Sequence, residues 1–228
     1  MEPIAVLTGD LIASTKADSP AVDRSMQALS QAARTLGDWA GHDTRFTRFR
    51  GDGWQLYLAK PGLILRATLF LTAYLRAAEV GLATRISIAV APNNRLGDSG
   101  LSGASGLAFE KSGHGLDLMR RSESIAFDDA DTLVFGDADT LVFGAPMAPL
   151  GPWQGAVLAL AHWQASRWTR EQATAMALAL DPTNPTQDQI AQTLGITRQA
   201  VQARLKGAGL AALQSALSAF EIKEKIAR

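Results

Sequence analysis

Hydrophobic and polar positions change period several times along the chain, and each change marks an element. Ile4-Ala5-Val6-Leu7-Thr8 is a short apolar run with the length and composition of a buried strand. Over 18–39, apolar residues return at Val22, Met26, Leu29, Ala33 and Leu36, the period of an amphipathic helix. Arg45-Phe46-Thr47-Arg48-Phe49 and Trp54-Gln55-Leu56-Tyr57-Leu58 alternate, and Arg50-Gly51-Asp52-Gly53 between them has the composition of a tight hairpin turn. A helix is expected over 63–80, and a strand over 83–91 around Arg85-Ile86-Ser87-Ile88-Ala89-Val90.

A glycine-rich loop follows (Gly97, Gly100, Gly103, Gly106), then a helix expected to reach Arg121 and strand-like pieces at 124–127, 132–135 and 140–143. The octapeptide from Asp129 to Gly136 recurs unchanged from Asp137 to Gly144. Two copies are too few for a repeat architecture and read as a local duplication. Their aspartates lack the ligand pattern of a calcium loop. Pro146, Pro149 and Pro152 lie in a stretch that reads as a linker, and everything beyond it reads as helix. The expected fold class is therefore α+β. Residues 1–146 form a ferredoxin-like domain, because strand, helix, hairpin, helix, strand is the split β-α-β order on an antiparallel sheet, and 147–228 form an all-α domain.

The helical part carries the sharper pattern. Thr169 and Gln172 are spaced as a capping box, and Asp181-Pro182 ends the helix they open. The segment 186–206 then has the features of a helix-turn-helix. Ala191 is small where two helices cross, and Gly195 sits where the turn requires a positive φ. Ile190, Leu194, Ile196, Val201 and Leu205 supply the apolar seam, and Thr197 caps the second helix. Its outward positions Arg198, Gln199, Gln202, Arg204 and Lys206 bear long donors suited to phosphates and base edges, with Thr186, Gln187 and Thr197 at the helix starts. Duplex DNA is the expected partner. The apolar positions Leu210, Leu213, Leu217, Phe220 and Ile226 of the last helix serve either core packing or dimerisation.

A second constellation lies in the sheet domain. Asp10 ends the first strand and Asp52 lies in the hairpin turn, and a ferredoxin-like order sets that strand beside that hairpin. Two carboxylates with a backbone carbonyl, here that of Leu11, suit magnesium, which in turn holds a nucleoside triphosphate. Gly9-Asp10-Leu11 with Ser14 and Thr15, and Arg50-Gly51-Asp52-Gly53, resemble the metal-binding motifs of class III nucleotidyl cyclases and the palm-domain group. With Gly51-Asp52-Gly53-Trp54-Gln55, Gly106-Leu107-Ala108-Phe109 and the helical stretch from Trp168 to Lys206, the whole chain resembles the SatD family. That resemblance implies a palm/nucleotidyl cyclase-like domain joined to a helix-turn-helix, with Ser14, Thr15, Arg48 and Arg50 on the nucleotide. Arg48 stands where many cyclases carry a base-selecting lysine. The chain departs from cyclases after the fourth strand. Glu110 replaces the expected asparagine, and Lys111 or Arg120 is left to supply the missing cation.

Charge and composition narrow the partners. Lys and Arg total 22 against 22 Asp and Glu, so no global basic field draws nucleic acid in. Binding must come from a local patch, strengthened by pairing into a homodimer. Cysteine is absent, which removes disulfides and thiolate metal sites. His42, His114 and His162 are scattered without ligand spacing. The N-terminus lacks the pattern of a secretory signal, and no apolar run is long enough to span a bilayer, so a cytoplasmic protein without a membrane partner is expected. The expected function is a DNA-binding transcriptional regulator whose palm-like domain binds a nucleotide with magnesium. The alternative is a nucleotidyl cyclase or nucleotide-polymerising enzyme using Asp10 and Asp52 as metal ligands.

Overall fold

The computed structural model describes residues 2–41, 44–78, 82–92, 95–96, 100–101, 103–119, 125–129 and 152–226. Its first part runs β1 (Pro3–Leu11), α1 (Ser19–Ala40), β2 (Thr44–Phe49), β3 (Gly53–Leu58), α2 (Ile64–Ala77), β4 (Thr84–Pro92), α3 (Leu107–Leu118) and β5 (Ile125–Asp129). The strands form one sheet in the order β2-β3-β1-β4-β5, with β5 parallel to β4 and the other pairs antiparallel. The arrangement is mixed α+β. The expected strands at 132–135 and 140–143, the duplication beyond Asp129 and the linker up to 151 lie outside the described residues.

Local chemistry sets the boundaries. The Asp18 carboxylate accepts from the Ala21 amide at 2.8 Å to open α1, Pro20 occupies its first turn, and Gly41 closes it at φ 58°. The hairpin turn places Arg50 and Gly51 at positive φ, 48° and 83°. Alternation then assigns the faces. Ala5, Leu7 and Leu11 of β1 join Trp54, Leu56 and Leu58 of β3 and Ile86, Ile88 and Val90 of β4 in the core beneath α1 and α2. Ile4 and Val6 turn the other way, to Tyr57, Ala91, Leu101 and Ala108 on the α3 side.

Among the described residues, five helices follow: α4 (Pro152–Ala165), α5 (Arg170–Ala179), α6 (Gln187–Leu194), α7 (Arg198–Ala208) and α8 (Leu210–Ile226). They share the core of the sheet part. Every residue of α2 from Ile64 to Ala73 is buried, so this helix has no solvent face along that length. It packs on α1 to one side and on α4, α5 and α8 to the other. One apolar cluster runs from Leu7 and Leu29 through Leu69 to Met176, Leu205 and Phe220, so the division expected at 146/147 does not divide the core. The apolar face of α8 is spent on this packing, since Leu213, Leu217 and Phe220 are all buried.

Polar ties cross the same junction. Arg66 of α2 donates from Nε and Nη2 to the two carboxylate oxygens of Glu221 in α8 at 2.7 and 3.0 Å, and from Nη1 to the Leu180 carbonyl at 2.5 Å. This fork-to-fork geometry satisfies two largely buried charges at once. Buried Trp168 donates from its indole to the Ala208 carbonyl at 2.9 Å, and Arg76 donates to the Trp168 carbonyl at 2.9 Å. Trp153 and Trp163 are half exposed on α4, whereas Trp168 is buried in this junction.

Two measurements probe this junction. Arg66→Met leaves the Glu221 carboxylate without its partner and is expected to cost about 3 kcal/mol in urea unfolding, with fluorescence and circular dichroism reporting one shared transition. His162 of α4 is 3 % exposed, and burial lowers its pKa to about 4. The unfolded chain takes up that proton near pH 6.5, so it binds more protons than the folded chain between pH 6.5 and about 4. Stability contributed at neutral pH is therefore lost as pH falls through that window, by roughly 3 kcal/mol. Relative to wild type, His162→Leu should flatten the pH dependence between 7 and 4; parallel curves would contradict this.

Candidate functional site

The β1 end brings the two aspartates of the sequence to one corner. Asp10 is opposite Gly53 on β3 and Arg85 on β4. Its side chain lies on the α3 face, as does that of Arg85, whose guanidinium pairs with both oxygens of the Asp10 carboxylate, Nε to Oδ1 at 2.8 Å. Asp52 accepts from the Ser14 hydroxyl, and its backbone carbonyl accepts from the Leu11 amide at 3.1 Å. The hydrogen bond to Asp10 raises the Arg85 pKa against partial desolvation, and the charges of Asp10, Asp52 and Asp117 add to the effect. Three acids therefore surround one guanidinium.

For a divalent cation, this donor set falls short as it stands. Asp10 is matched by a guanidinium fork and Asp52 is held by Ser14. Among the described residues, no three His, Asp or Glu side chains converge as metal ligands. A cation at this corner has to take Asp10 from Arg85. Thr15 is exposed and Ser14 half-buried in the short turn after β1. Arg48 is a correction. It lies opposite Trp54, whose side chain is on the α1 face, and it pairs with Asp23 of α1 at 2.7 Å, so strand alternation turns it away from the face that holds Asp10. Arg50 stays on the Asp10 side, beside a cleft lined also by Thr8, Phe49, Gln55, Gly113, Leu116 and Asp117. Glu110 is exposed in the first turn of α3.

The floor of this cleft was legible only as scattered polar residues in apolar strands. Register aligns Thr47, Gln55, Thr8 and Ser87 in one row across four strands. Gln55 donates to the Thr8 hydroxyl at 3.2 Å, Thr8 and Ser112 of α3 share a hydrogen bond at 2.7 Å, and the Ser87 hydroxyl has no partner. Beneath Asp10 lies a relay that motif spacing does not reveal. The Trp54 indole donates to the Thr84 hydroxyl at 2.9 Å, which donates to the Asp10 carbonyl at 2.7 Å. Gly9 makes room for that indole, because a β-carbon there would lie 2.4 Å from the ring and 2.5 Å from the Arg85 carbonyl.

The second region is the outer surface of α5, α6 and α7. Thr169 and Gln172 form a full capping box on α5, and Thr186 with Gln189 forms another on α6. Gly195 turns the chain at φ 64°, and Thr197 accepts from the Ala200 amide at 3.2 Å to open α7. Val201, Leu205 and Ala208 hold α7 to the body, while Arg198, Gln199, Gln202 and Lys206 are exposed, as are Thr186 and Thr197. Gln187 is half-buried. Arg198 approaches Asp188 of α6 at 3.8 Å with both side chains mostly in solvent, a contact of little energy. Arg204 differs from expectation. It is half-buried and turned toward the start of α5, where it helps lower the Glu171 pKa, behind that residue's own backbone amide and the Thr169 hydroxyl. The helical period carries position 204 around to the α5 side of α7.

No protein-family model matches the chain, so the likeness to the SatD family finds no support there. No curated protein sequence matches it. Among solved structures, the guanylyl cyclase Cya2 superposes with a TM-score of 0.37 at 16% identity, over 55% of this chain and 74% of that one. Nothing about activity follows from a likeness of that size. None of the described helices is long and apolar enough to cross a membrane.

Gly9→Ala tests the relay. The added methyl meets an indole and a backbone carbonyl, so stability should fall by about 3 kcal/mol, the upper end for overpacking. Gly113→Ala, where a β-carbon meets nothing within 4 Å, serves as the comparison and should be close to neutral. Equal effects would show that Trp54 does not depend on Gly9.

Proposed function

We propose that the chain is a DNA-binding transcriptional regulator in which α6, the Gly195 turn and α7 form a helix-turn-helix and α7 enters the major groove. The observation that carries this reading is the division of α7 into two faces. Val201, Leu205 and Ala208 are buried, while Arg198, Gln199, Gln202 and Lys206 are exposed, uncovered by the other described residues. Glutamine amides and an arginine fork at the start of such a helix match the donors and acceptors of base edges, and Lys206 at its last turn suits a phosphate. The absence of net charge on the chain limits nonspecific affinity, so two copies on two half-sites are part of the proposal.

In this reading the sheet part is a ferredoxin-like, palm-like domain. A nucleotide held there is the second reading, favoured by one feature: the cleft beside Asp10 offers Arg50, Gln55, Thr8 and the Phe49 ring together. Turnover of triphosphates as a cyclase or polymerising enzyme further requires magnesium or manganese on Asp10 and Asp52, at the expense of the Asp10–Arg85 pair. Incubation with labelled triphosphates and manganese separates the two readings. Product lost in both Asp10→Ala and Asp52→Ala favours the enzyme.

For DNA, fluorescence anisotropy should show Arg198→Ala and Gln202→Ala weakening specific binding by about 1–3 kcal/mol, with unchanged melting temperature. Lys206→Ala should weaken all sequences alike and lower the salt slope by about one. Arg204→Ala is the contrast: this residue is half-buried, and its loss should change affinity less than that of Arg198. Unchanged affinity in the Arg198→Ala/Lys206→Ala double variant would count against a groove-facing α7.

A further inference from the structure

A cavity of about 230 Å³ lies where the sheet part meets α4. Its wall is formed by Ile12 after β1, Thr72, Leu75 and Arg76 of α2, Ala83 and Thr84 at the start of β4, and His162 and Ser166 of α4. Roughly 150 Å³ is enough to hold benzene, so the space admits a small organic molecule. Its polar groups are unevenly committed. Thr72 donates to the Thr68 carbonyl, Ser166 to the Trp163 carbonyl and Thr84 to the Asp10 carbonyl. Two groups have capacity left. His162 is 97 % buried, and its Nδ1 has no hydrogen-bond partner. Arg76 is exposed and, among the described residues, engages only through Nε, to the Trp168 carbonyl, which leaves its terminal nitrogens for a ligand. Native structures rarely strand a buried ring nitrogen, and a partner arriving from outside the chain resolves it.

We propose that this cavity is a binding site for a small organic carboxylate. The carboxylate pairs with the terminal nitrogens of Arg76 at the rim, a short apolar body lies against Ile12, Leu75 and Ala83, and a polar substituent meets the His162 imidazole. Arg76 selects an anion, because a planar fork of donors matches a carboxylate and nothing acidic among the described wall residues opposes it. The apolar wall selects an organic acid over inorganic phosphate. The position suits a regulator. Arg76 holds the Trp168 carbonyl, and the Trp168 indole together with Gln164 of α4 holds the Ala208 carbonyl that ends α7, at 2.9 and 2.8 Å. A ligand that draws on Arg76 and α4 therefore acts on the supports of the proposed recognition helix. That coupling rests on the DNA reading; the site itself does not.

The test uses the full chain with benzoate, salicylate and 3-methylbutanoate as probes, followed by thermal shift and calorimetry in the absence of DNA. At least one acid should raise the melting temperature saturably. Ser166→Leu, which fills the space, should abolish the effect, and Arg76→Gln should weaken binding by about tenfold or more. Benzamide, isosteric with benzoate but uncharged, should bind more weakly. If Ser166→Leu does not fold, His162→Leu replaces it and should lose affinity for salicylate, whose hydroxyl is the substituent that meets the imidazole. No shift with any of the three acids at millimolar concentration overturns the proposal. So does binding that survives the filling substitution, or benzamide binding as well as benzoate. Anisotropy on DNA with and without the acid is read separately, so an absence of DNA binding leaves the cavity result standing.

Discussion

The rest of the molecule depends on the burial of α2. A helix enclosed along ten consecutive residues, Ile64 to Ala73, cannot be shielded by one layer of structure. The sheet and α1 cover one side, and α4, α5 and α8 must cover the other. The helical part is thus a second wall of the same core, with α2 enclosed between the two. Arg66 belongs to this constraint. It is a charged residue on a helix without a solvent face, and it is tolerated because Glu221 and the Leu180 carbonyl engage all three of its guanidinium nitrogens at once.

The surfaces left over follow from that enclosure. With α5 pressed on α2, the pair α6 and α7 is carried on the outside of the body, and only one side of α7 is needed for attachment. On the other face of the sheet, alternation along β1, β3 and β4 sends Asp10, Gln55, Thr8 and Arg85 away from α1 and α2, where α3 covers only part of the sheet. Both candidate regions are therefore consequences of packing. Their positions are fixed even where their ligands are proposals.

Much of this was legible in the residues. Periodicity located β1 through β4, α1 and α2 to within a few positions, because each element buries one face or is apolar throughout. The capping box at Thr169, the cap at Thr197 and the left-handed Gly195 were readable one residue at a time, since a cap is a local bond between neighbours in the chain. Pairings between distant strands were not. Arg85 read as one charge in an apolar strand, and only register reveals that it lies beside Asp10. Arg48 illustrates the same limit, because motif position suggested a ligand contact while strand parity turned the side chain to Asp23. Arg204 was assigned to the outer face, whereas it is half-buried beside Val201, Leu205 and Ala208, a distinction of one helical step. The continuity of the core escaped notice for another reason. A proline-rich stretch marks where a chain bends, and says nothing about whether the parts beyond it pack together.

One detail bears on how α7 is seated. Its terminal Ala208 carbonyl accepts from two side chains, Gln164 and Trp168, and its first turn is held by the Thr197 cap and the buried Val201. Both ends are anchored from the inner side, so the row of Arg198, Gln199 and Gln202 is displayed in an orientation that the body of the molecule sets in advance.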